Sequence, residues 1–413
     1  MTNGTSVLFT SKKIGPIEVK NRFVAAAIYE SMATGTGEVT DQLVRRYHAI
    51  AKGKAGLIIP GYMYVNPTGK GSKFETGIYE DRMISGLKKL TVAVHEQGSK
   101  IFFELSHAGR QTTKELVGQI PLAPSVGKTD LVFRTKPREM TNGEIKQTIC
   151  DFGEAARRAT ESGADGIHIC AAGGVLLNQF LSPYFNRRTD DWGGSEENMY
   201  RILRETIQTC RKTMKKSMAL TVKLNTNDYT PKRGITPELA KKYAGWLSQD
   251  GIDGLETNTG TIAYSNMSIS RGQVPVSEYV KALPMWERPI GWLVVRRWVG
   301  KYNFEEGWNL PDARLMKTAI GEMPLMLVGG LRRLATMQKI VESGEADFIS
   351  ICRPLVREPN LINKFRTSQA EVAACISCNK CAGQVFNNLP LRCMQLGELP
   401  KRKISKKNPL FAQ

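Results

Sequence analysis

Short runs of β-branched and apolar residues recur along the chain at 22–27, 55–60, 100–105, 165–169, 218–224, 252–256, 324–328 and 346–351. Most are followed by stretches of helical periodicity, at 42–52, 87–97, 145–162, 196–212, 237–248 and 333–343. Strands alternating with helices are the pattern of parallel β/α architecture, and a count of eight predicts a closed (β/α)8 TIM barrel rather than an open sheet. Ser195 before Glu196 and Glu197 predicts a helix start, where a hydroxyl and two carboxylates meet unpaired amides. Gly98, Gly163 and Gly251 are expected to close helices in the left-handed conformation just before strands three, four and six. Long insertions follow strand three (106–143) and strand six (258–311), and both leave the C-terminal face, where a barrel builds its active site.

After about residue 368 the composition changes to Cys, Asn, Lys and Pro, which divides the chain into a barrel at 1–368 and a Cys-rich appendage at 369–413. Neither an internal repeat nor a low-complexity segment is visible. The shares of 41% hydrophobic and 23% charged residues argue for a globular chain, and no apolar run is long enough for a membrane helix. The first 13 residues are polar and lack the apolar core of a secretion signal, so a cytoplasmic protein is expected. A net charge of +19 raises the question of nucleic acid, but Lys and Arg are spread along the chain, with runs only at 211–216 and 401–407. No aromatic-interleaved basic motif accompanies them, so neither nucleic acid nor a membrane is expected as a partner. The second run reads as a solvated tail.

Two strand ends carry candidate chemistry. Leu327-Val328-Gly329-Gly330 closes strand seven and Ile351-Cys352-Arg353-Pro354 closes strand eight. Paired glycines admit an anion to backbone amides and an Arg supplies a charged fork, so a phosphate site is expected there, the alternative being a plain tight turn. Four of the eight cysteines (Cys150, Cys170, Cys210, Cys352) are scattered singly and read as small buried hydrophobes. With only four histidines and no pair at helical ligand spacing, a metal has to sit on sulfur. Cys375, Cys378, Cys381 and Cys393 form C-x2-C-x2-C-x11-C, which matches iron–sulfur ligation better than the paired knuckles of zinc, and unliganded thiols stay open as a reading. A disulfide framework is not expected in a cytosolic chain.

Several strings have a particular order: Val19-Lys20-Asn21-Arg22, Ser106-His107-Ala108-Gly109-Arg110-Gln111, Asn178-Gln179-Phe180-Leu181-Ser182-Pro183, Asn186-Arg187-Arg188-Thr189-Asp190 and Gly193-Gly194-Ser195. From about residue 8 to 393 the chain resembles the Old Yellow Enzyme family of FMN-dependent ene-reductases. It is most similar to the branch of 2,4-dienoyl-CoA reductase and trimethylamine dehydrogenase, which carries a cysteine cluster after the barrel. The resemblance implies FMN reduced by NADH or NADPH, and a 4Fe-4S cluster on Cys375, Cys378, Cys381 and Cys393. It implies Ala27, Tyr29 and Gly61 beside the flavin, Glu104 at its pyrimidine edge, Lys223 near N1 and O2, and Gly329, Gly330 and Arg353 on the phosphate. Lys223 is then expected to stabilise the negative charge of reduced flavin.

The departures from the family pattern matter more. The family's substrate-gripping His pair and proton-donating Tyr on strand four correspond to Cys170, Gly173 and Val175. None of these replaces an imidazole donor, so weak or absent enone reduction is expected. Glu104 stands where the family has Gln, and a dry site is expected to keep its carboxyl protonated. Tyr29, His107 and His168 are the remaining candidates for proton donation, His168 equally readable as a satisfied barrel residue. Trp286, Trp292, Trp298 and Trp308 read as packing residues, with some lining an apolar pocket. Relatives with the cluster often carry a further nucleotide-binding half, and no G-x-G-x-x-G follows a strand in the tail, so an electron-donor protein joins the small-molecule substrate as an expected partner. Self-association is left open. Two functions compete: a flavin oxidoreductase acting on a small or medium acceptor, and a flavin-binding or electron-transfer protein with little ene-reductase activity. An RNA-acting barrel has only the basic charge in its favour.

Overall fold

Eight parallel strands close on themselves in the computed structural model, which describes residues 6–397 apart from 131 and, in 266–269, backbone only. They are β1 (Phe23–Ala25), β2 (Leu57–Ile58), β3 (Lys100–Ser106), β4 (Gly166–Ala171), β5 (Ala219–Asn225), β6 (Gly254–Asn258), β7 (Leu325–Val328) and β8 (Phe348–Ile351). Each pairs with its neighbours in chain order, β2 with β3 and β8 with β1, so the TIM barrel has no free edge. The strands coincide with the eight apolar runs to within a few residues, because a strand covered on both faces reads as a continuous apolar segment.

The outer ring comprises α1 (Asp41–Lys52), α2 (Ile84–His95), α3 (Asn142–Glu161), α4 (Glu196–Thr213), α5 (Pro237–Gln249), α6 (Leu310–Ile320), α7 (Leu334–Glu342) and α8 (Leu361–Arg366). Their apolar positions recur every three to four residues. In α3, Ile145, Ile149, Phe152 and Ala156 are buried, and a capping box between Thr141 and Glu144 starts the helix. Ser195 accepts from the Asn198 amide at the head of α4, and Gly98, Gly163 and Gly251 take φ of +80°, +78° and +74°. An antiparallel hairpin, Lys12–Ile14 with Ile17–Val19, seals the N-terminal end: Ile14, Ile17 and Val19 pack against Phe102, Met326 and Phe348 inside the barrel. The interior therefore opens only at the opposite mouth.

Both insertions rise at that mouth. The second forms helices Ile262–Ile269, Val276–Lys281 and Arg288–Arg296. Here the expectation that its tryptophans pack inside needs correcting: Trp286 is 79% and Trp292 42% exposed. The helix Arg288–Arg296 turns Ile290, Leu293 and Val294 outward and buries only Val295. Residues 369–397 fold back over the mouth, with the Ala373 amide on Arg332 O (3.0 Å), the Leu391 amide on Glu30 O (2.8 Å) and Phe386 edge-on to Tyr279. The basic run 401–407 lies outside the described residues. Among those described, no helix is long and apolar enough to cross a membrane.

Candidate active site

A cavity of about 710 Å³ opens at the C-terminal mouth, large enough for a dinucleotide-sized or smaller cofactor together with a substrate. Strand ends deliver its polar groups: Tyr29 follows β1, Glu104 lies on β3, Cys170 on β4, Lys223 on β5, Gly330 after β7 and Arg353 after β8.

Inside the barrel Lys223 Nζ lies 2.6 Å from Glu104 Oε1 and 3.2 Å from Glu256 Oε2. His168 Nε2 lies 3.2 Å from the same Glu256 oxygen, and Ser350 Oγ donates to the other at 2.7 Å. Burial alone lowers the pKa of an ammonium, but the Coulombic pull of Glu104 and Glu256 holds Lys223 above its ordinary value. Burial pushes Glu256 up, and Lys223, His168 and Ser350 more than offset it, leaving its carboxyl at about 2. Glu104 Oε1 accepts the hydrogen bond from the Lys223 ammonium.

At the other end, Gly330 has φ +69°, and a Cβ there would lie 2.9 Å from Trp308 Nε1. That indole nitrogen is shut off from solvent and, among the described residues, has no hydrogen-bond partner. Arg332 stacks over Phe304 at 3.5 Å and donates to Ser377 Oγ at 2.5 Å. Arg353 Nη1 donates to Arg271 O (3.0 Å) and Asn379 Oδ1 (2.5 Å). Two guanidinium groups at one end of a cavity suit an anion.

The side wall holds a second polar group. Tyr29 and Tyr62 stack with ring centres 6.0 Å apart, and Ser72 is within hydrogen-bond reach of both hydroxyls. Glu75, 1% exposed, accepts from the Gly71 and Ser72 amides at 2.7 and 2.9 Å. Burial raises its carboxyl to about 8 despite those bonds.

Of the residues singled out from sequence, Ala27, Tyr29, Glu104, Lys223, Gly330 and Arg353 share this cavity. Gly61 does not line it, and its amide donates to Glu30 (2.7 Å) and Tyr47 (3.0 Å) instead. Gly329 also stands behind the wall, its carbonyl accepting from Gly307. Both histidines lie off the cavity: His168 is fully buried, while His107 accepts from Gly109 N at 3.0 Å and burial holds it at about 4. Cys170, Gly173 and Val175 do line it, with Asn258 beside Gly173. Sequence reasoning missed Glu75, Glu256 and Arg332, while Trp308, among the tryptophans of which some were expected to line a pocket, does line this one. A carboxylate or ammonium inside an otherwise apolar strand, as at 104, 223 and 256, was the available signal.

Cys375, Cys378, Cys381 and Cys393 line one small second cavity together with Arg353, and none is in a disulfide. Arg353, Ser377 and Cys381 belong to the walls of both cavities. Among the described residues no three His, Cys, Asp or Glu side chains converge as a site for a metal ion.

Residues 7–283 match the model of the NADH:flavin oxidoreductase / NADH oxidase family. The chain is 31% identical to the 4,4'-dithiodibutanoate disulfide reductase of Rhodococcus erythropolis, covering 95% of this chain and 96% of that one. It is 32% identical to an NADH oxidase of Thermoanaerobacter brockii over 94% of this chain but 55% of the relative. A solved complex of 2-naphthoyl-CoA reductase superposes with a TM-score of 0.81 at 25% identity, over 94% of this chain and 56% of the other. The chain thus spans about half the length of the latter two.

Proposed function

The chain belongs to the NADH:flavin oxidoreductase / NADH oxidase family, in the Old Yellow Enzyme branch of trimethylamine dehydrogenase and dienoyl-CoA reductase, and is an FMN-type NAD(P)H oxidoreductase; from this premise we propose that it reduces a small or medium organic acceptor that needs no imidazole grip on a carbonyl. The observation that carries the reading is the polarity of the cavity: an ammonium on one side, guanidinium groups on another, and apolar lining between. FMN fits that division: Lys223 and Glu104 would hold its pyrimidine edge, and Gly330, Arg332 and Arg353 would hold its phosphate. When bound it supplies two-electron hydride chemistry with NADH or NADPH.

The chain's own residues then divide the work. Lys223 offers fixed positive charge where negative charge develops, at no reorganisation cost. Tyr29 and Tyr62 are the hydroxyls on the substrate wall, and Glu75, its carboxyl raised to about 8 by burial, is the acid behind them. Cys170, Gly173 and Val175 leave the acceptor's oxygen, if it has one, without a charged donor. Weak cyclohexenone reduction follows. The disulfide acceptor named for the Rhodococcus relative is a candidate of the required kind, because a disulfide has no carbonyl to grip.

A second reading, single-electron exchange with a donor protein, is favoured by the cysteine cavity next door. A 4Fe-4S cluster fits the four thiols and would supply one-electron steps. Arg332 and Arg353 place positive charge between the two cavities.

The test is anaerobic mixing with NADH and NADPH while the flavin absorption is followed, then addition of cyclohexenone or 4,4'-dithiodibutanoate, with iron and acid-labile sulfide assayed on the same sample. Bleaching with rapid reoxidation by the disulfide alone supports the reading. Fast, steady cyclohexenone turnover refutes the atypical site, and absence of iron and sulfide refutes the cluster.

A further inference from the structure

The barrel interior under the Lys223 end of the cavity encloses two carboxylates, one ammonium and one imidazole: Glu104, Glu256, Lys223 and His168. His168 Nε2 stands 3.2 Å from Glu256 Oε2 and 3.9 Å from Glu104 Oε1. Its other ring nitrogen, Nδ1, lies 2.7 Å from Thr221 Oγ1, and that hydroxyl also has Ile167 O within 3.3 Å. Thr221 therefore has two places to point its hydrogen. Pointed at Nδ1, it leaves the imidazole neutral, with Nε2–H donating to Glu256. Pointed at Ile167 O, it accepts Nδ1–H, and the ring carries a positive charge with both N–H groups bonded. Either arrangement satisfies the ring nitrogens, and no heavy atom has to move between them. With both carboxylates ionised the quartet has a net charge of −1 in the first arrangement and zero in the second.

We propose that His168 is a buried proton store, taking one proton from solvent each time the flavin is reduced and releasing it on reoxidation, with the Thr221 hydroxyl turning between its two acceptors. The inference rests on the FMN reading above. NAD(P)H delivers a hydride, which is two electrons and one proton, and leaves one negative charge at the cofactor's pyrimidine edge. A second proton, from solvent, settles on His168, so the total charge of quartet and cofactor does not change. Hydride loss to the acceptor removes the negative charge and the stored proton leaves.

The surroundings favour this division. Among the described residues, the charged or titratable groups around His168 are Glu104 on β3, Lys223 on β5, Glu256 on β6 and, farther along its own strand, the thiol of Cys170. Thr221 and Ser350 add only hydroxyls. Lys223 is held above its ordinary pKa and Glu256 at about 2, so both keep their charge through the cycle. Glu104 and Lys223 reach the cavity wall and give the proton its way in, while the hairpin seals the other end. An uncompensated extra charge in such an enclosed site is expensive, which is the driving force for uptake.

The experiment uses the flavin-loaded protein. The midpoint potential is measured between about pH 6 and pH 9, and ¹⁵N-histidine spectra are recorded for oxidised and dithionite-reduced protein. Only four histidines are present, so His168→Gln assigns the resonance. The expected result is two protons taken up per two electrons, with the His168 ring passing from neutral to doubly protonated on reduction. One proton is expected for His168→Gln and for Thr221→Val, which keeps the side-chain volume if the former folds poorly. A wild-type uptake of one proton overturns the proposal. So do two protons with an unchanged imidazole, which would put the second on the flavin. Protein purified without flavin absorption overturns the cofactor reading itself, and is seen in the spectrum before any titration.

Discussion

Replacing Lys223 by Met keeps the stem of the side chain and removes its charge. Lys223 stands 2.6 Å from one carboxylate and 3.2 Å from another, with Glu104 1% and Glu256 0% exposed, so the substitution leaves two acids buried without a counter-charge. Removing one partner of a buried ion pair costs about 3–5 kcal/mol, and less if one acid picks up a proton. The sign with pH is fixed by linkage. In the wild type Glu256 is depressed to about 2, so it contributes stability above the ordinary carboxyl value that is lost as pH falls toward 2. Without Lys223 the burial that pushes Glu256 up loses its largest opponent, so the penalty is full at neutral pH and fades below about pH 4. The assay is urea denaturation at fixed free FMN, at neutral pH and near pH 5, on Lys223→Met, Glu104→Gln and the double variant. Glu104→Gln is expected to recover part of the loss in the Lys223→Met background while costing stability alone. A Lys223→Met cost under about 1 kcal/mol, typical of an exposed pair, or a double variant that merely adds the two losses, refutes the picture of one cation shared by two buried acids.

Glu75→Gln is expected to change the pH profile of acceptor reduction: in the wild type the rate falls as pH rises through about 8, and the variant loses that limb. Because the folded pKa is raised, wild-type stability declines from the unfolded carboxyl value up to about pH 8. Thermal unfolding at pH 9 should therefore favour Glu75→Gln, with the difference shrinking in acid. Gly330→Ala is expected to destabilise the protein by about 1–2 kcal/mol through its positive φ, and to lower flavin content by crowding Trp308 Nε1; equal flavin occupancy in the purified variant would sink the phosphate-end assignment.

The barrel could be read from the chain because its determinants are local. Strands buried on both faces leave apolar runs such as Leu325–Val328, and glycines at 98, 163 and 251 take the left-handed conformation just past the ends of their helices. Glu104 and Lys223 stood out against such runs, yet what they touch depends on register: Lys223 pairs with Cys170 on one side and with the unanticipated Glu256 on the other. A one-dimensional pattern does not contain that. His107 sits in a family-like string and was drawn toward the chemistry, but its side chain turns behind the wall onto Thr68 and Gly109. The tryptophans of the second insertion misled for a different reason: hydrophobicity predicts burial only where a partner surface is available, and Trp286 has none among the described residues.

The return of residues 369–397 over the mouth has a temporal side. Ser377, Cys381, Ala382, Val385, Phe386 and Asn388 complete the cavity wall, yet they follow β8 in the chain. A ribosome makes the strands first and this wall last, at roughly 5–20 residues per second. For that interval, on the order of seconds, the barrel can be closed while its cofactor chamber lacks one side. Arg353, bonded to Asn379, and Arg332, bonded to Ser377, are among the residues that then join the early part of the molecule to the late one.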